Sequence, residues 1–333
     1  MRQEAPELQY IQALSQRVKL TKKEQHALQH ALQGYNGECL FDRCLPPNLT
    51  QPEFCMDDVD LSYQGSHCQI DKLLVIGDIA YLIDIKNYDG HYQYHDGSWY
   101  YDGKVLAHNI FEQITRAQGI VARCLSDQGL QMSVKSVLVF MKSTVQLDLT
   151  APPPHIKLMD LSQACGWLIE MSLDLTTRSD LLQQPWQRAL QHYFIPAYRP
   201  PNDLSSTPQR PFHRGVCCLK CGHFKMKQSR FVLTCQNCGT PEAKKHAYVR
   251  TICDYGVLYF KKDLRRHDLC EFFGEGYSER YIVLMLQKNF IPKCTSLSRN
   301  YSYWNEGVSF QYWFQDRSDY FREIQQRVNW DKK

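Results

Sequence analysis

The apolar positions of the chain change period along its length, and each change predicts an element. A helical period runs through residues 7–33 and is interrupted near Thr21, which predicts two successive helices. Glycines 34 and 37 predict a loop, and the segment GECLFDRCL that begins at Gly37 indicates the start of another helix.

The stretch CQIDKLLVIGDIAYLIDIKNYDG, residues 68–90, contains two apolar runs of strand length. Gly77 and Asp78 stand between Ile76 and Ile79, and glycine at the first central position suits a two-residue type II′ turn. The stretch therefore predicts a β-hairpin, although ionisable residues interrupt both runs.

Further elements follow the hairpin along the chain. Polar, aromatic turns are predicted in YDGHYQYHDGSWYYDG, and the proline-rich segment YRPPNDLSSTPQRPF at 198–212 indicates a linker. The other predicted elements are a helix at 109–125, a strand at 135–141, a helix at 174–193, a strand or helical turn at 249–260, and helices at 263–273 and 278–289.

The register of the hairpin brings ionisable residues together. A turn at Gly77-Asp78 that pairs Ile76 with Ile79 also pairs Asp71 with Asp84. Opposed Cβ atoms lie roughly 4.5–5.5 Å apart, where like charges destabilise a sheet. Lys86 shares the face of Asp84 because side chains alternate along a strand. A divalent cation would relieve the repulsion, since Mg²⁺ is bound by one or two carboxylates with waters and phosphate oxygens. The alternative is a solvated sheet face without a special role.

Charge divides the chain into two unlike parts. Residues 1–206 carry a net charge of −6 and residues 207–333 one of +10, within a total of +4. A basic half suggests a polyanionic partner, although a merely solvated surface stays open. The amino-terminal stretch lacks the apolar core of a signal peptide, and no apolar run is long enough to span a bilayer. We therefore expect a soluble, cytoplasmic protein with no membrane partner.

Five of the fourteen cysteines lie in the segment CCLKCGHFKMKQSRFVLTCQNCGT, and four of these five stand in two C-x-x-C-G units. The two C-x-x-C-G units supply four thiolates, which suit a closed, tetrahedral, structural Zn²⁺ site. The predicted zinc ligands are Cys218, Cys221, Cys235 and Cys238. Cys217 offers a C-x₃-C alternative to Cys218, and a redox dithiol is the other alternative. We expect the remaining cysteines to be reduced and mostly structural.

The region that follows the cysteines resembles a winged helix-turn-helix module. Its second helix begins at Ser278, and KCTSLSRNYSYW suggests a basic wing. A helical packing or oligomerisation module is the alternative. The candidate nucleic-acid contacts are Arg280, Lys288, Lys293 and Arg299.

Several ordered motifs resemble the nuclease-related domain (NERD) family of the PD-(D/E)xK nuclease superfamily. The motifs are GYNGECLFDRCL, HCQIDKLLVI, YLIDIKNYDG and HNIFEQITRAQ, and together they cover residues 30–145. The chain departs from the family at two positions: Asp84 stands where glutamate is frequent, and Ile110 replaces the usual proline after Asn109. The wider superfamily pattern permits the shorter carboxylate.

The resemblance implies hydrolysis of phosphodiester bonds with Mg²⁺ or Mn²⁺ bound by Asp71 and Asp84. It implies that Lys86 orients water or stabilises the transition state, that Glu38 completes the metal shell, and that Gln113 hydrogen-bonds near the lysine or the substrate. Without the resemblance, Glu38 is a glutamate favoured by a helix dipole and Gln113 is a surface glutamine.

These features together predict an α/β (α+β) protein with a PD-(D/E)xK nuclease-like mixed sheet flanked by helices, a small zinc ribbon and a helix-turn-helix-like module. The expected function is a metal-dependent nuclease acting on DNA, and an oligomer or activating protein partner stays compatible with it. A non-cleaving nucleic-acid-binding or partner-recruiting protein is the alternative, and a zinc-ribbon transcription regulator is a third. The predicted boundaries are a helical segment at 1–33, the nuclease-related domain at 34–197, a linker at 198–212, the zinc ribbon at 213–245 and the winged-helix-like basic domain at 246–333.

Overall fold

The computed structural model describes residues 2–177, 185–206, 210–293 and 301–313. The chain divides into two compact units. The first unit contains Met1–Arg2 and His30–Ala197, and the second contains Gln3–Gln29 and Tyr198–Lys333. The finer division into linker, ribbon and winged-helix-like domain stays a prediction.

Two helices open the chain, as the sequence predicts, and the first unit then continues with strands and helices. Thr21 and Glu24 form a capping box, because the Thr21 hydroxyl accepts from the Glu24 amide while the Glu24 carboxylate accepts from the Thr21 amide. The elements are α1 (Pro6–Arg17), α2 (Lys22–Asp42), β1 (Cys55–Tyr63), β2 (Ser66–Ile76), β3 (Ile79–Lys86), β4 (Gly90–His95), β5 (Ser98–Tyr101), β6 (Lys104–Val105), α3 (Ile110–Asp127), β7 (Ser133–Phe140), β8 (Val145–Leu149), β9 (Ile156–Asp160), α4 (Leu161–Thr177) and α5 (Trp186–Gln191).

A five-stranded mixed sheet organises the first unit, in the order β1-β2-β3-β7-β9. The first three strands are antiparallel, whereas β3, β7 and β9 are parallel neighbours. Both faces are covered: Leu82 packs in a cluster with residues of α3, and the next residue, Ile83, packs in a cluster with residues of α2 and α4. This confirms the prediction of a mixed sheet flanked by helices.

The polar, aromatic segment after the hairpin contains the predicted turns, at residues 96–97 and 102–103, but most of it is strand. It forms β4, β5 and β6, which join β8 in a four-stranded sheet of order β6-β5-β4-β8. Trp99 and Tyr92 are buried in the cluster that this sheet shares with α3 and β7. Aromatic residues favour strands when their rings can pack, so the tyrosines and Trp99 explain why the segments between the turns are strands.

The predicted loop at Gly34 and Gly37 is also wrong, because α2 continues through both glycines to Asp42. A close approach explains glycine inside the helix at 37. A Cβ atom there would lie 2.5 Å from the Cβ of Asn87, which follows β3 directly. The glycine thus permits contact between a helix and a strand end, and it does not interrupt the helix.

The second unit contains a small sheet, a helical core and a short strand pair. The core includes Leu14 and Val18 of the amino-terminal segment together with buried residues of α6 such as Ile252. The elements are β10 (Met226–Gln228), β11 (Val232–Cys235), β12 (Pro241–Ala243), α6 (Lys244–Leu258), β13 (Leu264–Arg265), α7 (Arg266–Phe273), α8 (Glu279–Asn289), β14 (Ser302–Tyr303) and α9 (Phe310–Trp313).

Three helix predictions change in detail. Residues 249–260 belong mostly to α6, a full helix that begins at Lys244, and the helix predicted at 263–273 is preceded by a β-strand and begins at Arg266. Within the described residues, the helix predicted at 174–193 is the end of α4 and the separate helix α5, which follows Pro185. Pro185 stands at the N-cap of α5, where its missing N–H removes no hydrogen bond within the helix.

Cys44 and Cys165 form a disulfide in the first unit. This bond corrects the expectation that the cysteines outside the zinc motif are reduced.

No helix in the described part of the chain combines the length and apolar character that crossing a membrane requires.

Candidate active centre and cysteine cluster

The hairpin has the register that the sequence predicts over the length of its ladder. Gly77 has a φ of +61°, as the first central residue of a type II′ turn requires. The paired residues run from Ile76 and Ile79 down to Lys72 and Ile83. Asp71 and Asp84 follow as the next residues on each strand, one step beyond the last pair.

Beyond the last backbone pair of the ladder, the Asp71 side chain bonds to the neighbouring strand. Its Oδ2 accepts a hydrogen bond from the backbone N–H of Ile85 at 2.7 Å. Lys86 Nζ lies 2.7 Å from Asp84 Oδ1, and both side chains are largely buried, with 12% and 14% exposure. The end of the hairpin therefore holds two carboxylates and a lysine in a partly dry environment.

Burial and mutual charge shift the proton affinities of these groups. The pKa of Asp71 is raised to about 8, first by burial and then by the negative charge of Asp84, while Lys86 opposes the shift. The pKa of Lys86 also lies above its ordinary value, because the attraction of Asp84 and Asp71 outweighs the effect of burial. Protons and metal ions compete for such a carboxylate pair.

The pair passes a chemical test for a cation. Asp84 Oδ1 is a buried carboxylate oxygen, and its partner is the Lys86 ammonium at 2.7 Å. A buried, anionic oxygen next to a second carboxylate is the donor set that Mg²⁺ or Mn²⁺ accepts. Asp71 and Asp84 therefore fit a divalent ion.

Glu38 approaches this centre from α2 but has a different partner. Its Oε2 lies 2.9 Å from Arg2 Nε. The pKa of Glu38 is raised by burial, with Arg2 opposing the shift. Among the described residues, Glu38, Asp71 and Asp84 do not form a set whose ligand atoms all lie within 4.8 Å of one another. The structure thus places Glu38 near the carboxylates, bound to an arginine.

Asn87 connects α2 with the end of β3. Its side chain donates to the Gln33 carbonyl at 2.7 Å, and the Gln33 side chain donates to the Asn87 carbonyl. This reciprocal pair, together with the close packing at Gly37, fixes the helix that carries Glu38 against the strand that carries Asp84 and Lys86.

Sequence reasoning missed several charged residues beside the centre. Arg2 and Lys72 are buried, and Lys72 Nζ contacts Asp57 and lies 2.9 Å from Asp42 Oδ1. Lys72 follows Asp71 directly in the chain, so the motif IDK carried a signal for it. No pattern in the sequence pointed to Arg2, because its partners are distant along the chain.

Gln113 lies in α3 and is exposed. Its backbone N–H donates to the carbonyl of Asn109, the residue that caps the helix. A role for the Gln113 side chain near Lys86 or the substrate stays a prediction.

The cysteine pairs form a compact cluster in the second unit. Cys218 Sγ lies 3.6 Å from Cys238 Sγ, and Cys221 Sγ lies 3.5 Å from Cys235 Sγ. All four sulfurs lie within 4.8 Å of one another, so the group can hold a metal ion such as zinc. The glycines that end the two motifs, Gly222 and Gly239, have φ near +71° and +72°.

Cys217 stays outside the cluster. Its side chain is buried, and its Sγ lies 3.3 Å from the Gly222 carbonyl oxygen. The geometry therefore selects Cys218 over the C-x₃-C alternative. The cluster sits on the antiparallel sheet β10-β11-β12, where Cys235 pairs with Met226.

The candidate nucleic-acid contacts differ in their exposure and in their ion pairs. Arg280 and Lys288 are exposed on α8. Lys293 forms an ion pair with Asp263 at 2.5 Å, and its Nζ lies 4.1 Å from the centroid of the Trp304 ring. Arg299 and most of the predicted wing lie outside the described residues, whereas its end, Ser302–Tyr303, forms β14 and pairs with β13.

Comparison with known proteins gives one match. Residues 33–141 match the family model described as nuclease-related domain, NERD. No curated protein and no solved structure matches the chain. The matched range includes α2 from Gln33 onward, the hairpin with Asp71, Asp84 and Lys86, and α3. Residues 33–141 are therefore similar to the nuclease-related domain family.

Proposed function

We propose that the protein is a metal-dependent nuclease that hydrolyses phosphodiester bonds of DNA. One observation carries the proposal: within a nuclease-related domain, Asp71, Asp84 and Lys86 meet at the end of one hairpin and are largely shielded from water. A divalent ion would compensate the second carboxylate, because the single positive charge of Lys86 cannot neutralise both Asp71 and Asp84.

Asp71 and Asp84 are the proposed ligands of Mg²⁺ or Mn²⁺. When bound, such an ion stabilises charge on the phosphate and lowers the pKa of a coordinated water. The raised pKa of Asp71 means that the carboxyl group must lose a proton to bind the ion, which couples metal binding to pH.

Lys86 is proposed to interact with the attacking water and with the phosphate. Its ammonium holds Asp84 in place at 2.7 Å and retains its proton at neutral pH, because its pKa is raised. A protonated lysine cannot act as a general base, so we assign it to orienting the attacking water and to electrostatic stabilisation of the phosphate. Glu38 and Gln113 are proposed to act at the margin of this centre.

The second unit is proposed to bind the nucleic acid. Residues 207–333 carry a net charge of +10, and the four cysteines are proposed to hold a structural Zn²⁺ that stabilises the ribbon. Arg280 and Lys288 on α8 are the proposed contacts in the described part of the chain, whereas the ion pair of Lys293 makes it a weaker candidate.

A cleavage assay tests the proposal. Linear, circular and single-stranded DNA, with an RNA of matched sequence, are incubated with Mg²⁺, Mn²⁺ or EDTA. Wild type is compared with Asp84→Ala and Lys86→Ala, and with Asp78→Ala as matched control, because Asp78 is an exposed aspartate in the turn of the same hairpin. We expect metal-dependent cleavage that both site variants lose and the control retains.

Two results would count against the nuclease. DNA binding without cleavage in any metal, unchanged by Asp84→Ala, indicates the non-cleaving binding protein. Cleavage that survives both site variants indicates a contaminating enzyme or a different centre. Preferential cleavage of RNA would correct the substrate and leave the reaction class in place.

A further inference from the structure

Arg2 occupies a buried position among the acidic groups beside the proposed metal centre. Its side chain is 1% exposed, and its Nη2 lies 2.8 Å from Asp58 Oδ1. Its Nε lies 2.9 Å from Glu38 Oε2. Asp42 and Asp57 lie further out, at 3.5 and 3.7 Å from Nη1. A single guanidinium therefore faces four carboxylates.

The guanidinium of Arg2 lies at an interruption of the β1–β2 ladder. The β1–β2 ladder pairs Asp57 with Lys72 and Val59 with Ile70, and it skips Asp58 and Asp71 between them. Asp58 has a φ of +50°. Arg2 Nη2 fills the interruption by donating to the Asp71 backbone carbonyl at 2.5 Å. The backbone carbonyl of Arg2 in turn accepts from the Tyr35 hydroxyl at 3.0 Å.

The contacts of Arg2 limit the ability of Glu38 to bind a metal ion. A carboxylate that is bound to a guanidinium at 2.9 Å offers one oxygen fewer to a metal ion. The ligand atoms of Glu38, Asp71 and Asp84 do not converge in the described residues, whereas Arg2 lies in hydrogen-bond reach of both Glu38 and the backbone of Asp71. The Nε and Nη1 atoms of Arg2 are buried, and their contacts are with the carboxylates of Glu38, Asp42 and Asp57.

We propose that Arg2 is an internal cation that competes with the divalent ion for Glu38. In the arrangement seen here Glu38 is withheld from the metal shell, and it becomes a ligand, directly or through water, only when Arg2 is displaced. Arg2 is thus a positioning residue that sets the metal affinity of the centre. The inference rests on the proposed function, because it assumes an ion at Asp71 and Asp84.

Mn²⁺ binding to the zinc-loaded, full-length protein tests the inference without an activity readout. Isothermal titration, with electron paramagnetic resonance of free Mn²⁺, is applied to wild type, Arg2→Gln, Glu38→Gln and the double variant. We expect Arg2→Gln to tighten Mn²⁺ binding about tenfold, the scale on which residues behind metal ligands act. The gain should vanish in the double variant, and Arg2→Lys, which keeps the charge, should resemble wild type.

A milder variant covers the case in which Arg2→Gln does not fold. Tyr35→Phe removes the hydroxyl that holds the Arg2 carbonyl and leaves the guanidinium in the chain. We expect a smaller gain in Mn²⁺ affinity that also requires Glu38. Thermal melting and zinc content show whether each variant is folded.

The outcomes separate the inference from the proposed function. Unchanged or weaker Mn²⁺ binding in Arg2→Gln and Tyr35→Phe overturns the inference, as does a gain that persists with Glu38→Gln. Wild-type Mn²⁺ binding that does not change in Asp84→Asn overturns the proposed metal centre itself, whatever Arg2 does.

Discussion

The carboxylate centre and the cysteine cluster both consist of residue types that can bind metal ions, but they are assembled differently. The cysteines all fall within residues 218–238, and two turns of the chain bring them together. The carboxylate centre collects α2, the ends of β2 and β3 and the distant residue Arg2. The geometry of a local cluster is determined by its ligands and the turns between them. The geometry of a dispersed centre also depends on the residues that hold its ligands in place.

Loss of one zinc-cluster thiolate should have the largest effect. Cys221→Ser is expected to release the metal and unfold the ribbon, since structural zinc in small domains supplies about 10–16 kcal/mol of apparent binding free energy. Metal analysis and thermal melting measure this. Cys217→Ser is the matched control, because Cys217 is buried next to the cluster without belonging to it. Equal zinc loss in both variants would show that Cys217 is a ligand.

Removal of the hairpin lysine should be the next largest effect. Lys86→Met keeps the side-chain volume but leaves Asp84 without its counter-ion, so we expect cleavage to fall about 10²–10³-fold. Without metal, this variant should also melt at a lower temperature than the wild type. Mn²⁺ should restore part of the lost thermal stability, because the ion replaces the missing positive charge. Lys142→Met is the control, since Lys142 pairs with the exposed Asp89. A variant with wild-type cleavage would remove Lys86 from the mechanism.

Metal affinity should depend on pH through Asp71. Its folded-state pKa, about 8, lies above the ordinary value, so the folded protein binds the proton more tightly than the unfolded chain does. The metal-free protein should therefore lose stability as the pH rises from about 4 to about 8. Mn²⁺ affinity should rise over the upper part of that range and level off above it, because the ion displaces the proton.

Titration calorimetry at several pH values measures this dependence. Asp84→Asn removes the charge that helps to raise the pKa of Asp71, so the residual metal affinity should level off at lower pH. Mn²⁺ affinity that is flat between pH 6 and pH 9 would show that Asp71 does not bind the ion.

The smallest predicted effect concerns the glycines inside α2. Gly37→Ala places a Cβ atom 2.5 Å from the Cβ of Asn87, so the free energy of unfolding should fall by about 1–3 kcal/mol. Gly34→Ala is the matched control, because its nearest neighbour is the Glu38 side chain at 4.0 Å. There alanine should stabilise the helix by about 0.5–1 kcal/mol. Urea unfolding measures both, and equal effects would show that Gly37 is not needed for the packing of Asn87.

Local signals explain what the sequence could predict. Gly77 at the first central position of a tight turn determines the hairpin register, and alternation then places Lys86 on the face of Asp84. The two C-x-x-C-G motifs likewise specify their own turns. Both features depend on residues that are close along the chain, so a single sequence contains the necessary information.

The errors arise where distant packing overrides local preference. Gly37 signals a loop in isolation, and only contact with Asn87, fifty residues later, explains a glycine inside a helix. The aromatic segment 88–103 becomes strand because Trp99 and Tyr92 have a core to enter. Arg2 could not be foreseen, because its carboxylate partners are spread from Glu38 to Asp58. Tertiary context of this kind is not encoded in any short window.

The disulfide between Cys44 and Cys165 has a topological consequence for the first unit. The bond closes a covalent ring over a sequence separation of 121 residues, and every strand from β1 to β9 lies within that ring, as does α3. A protease that cuts once inside the ring would linearise it without separating the fragments. The carboxylates of Asp71 and Asp84 would then remain tethered to the helices on both sides, and a nicked protein could keep its centre assembled until the bond is reduced.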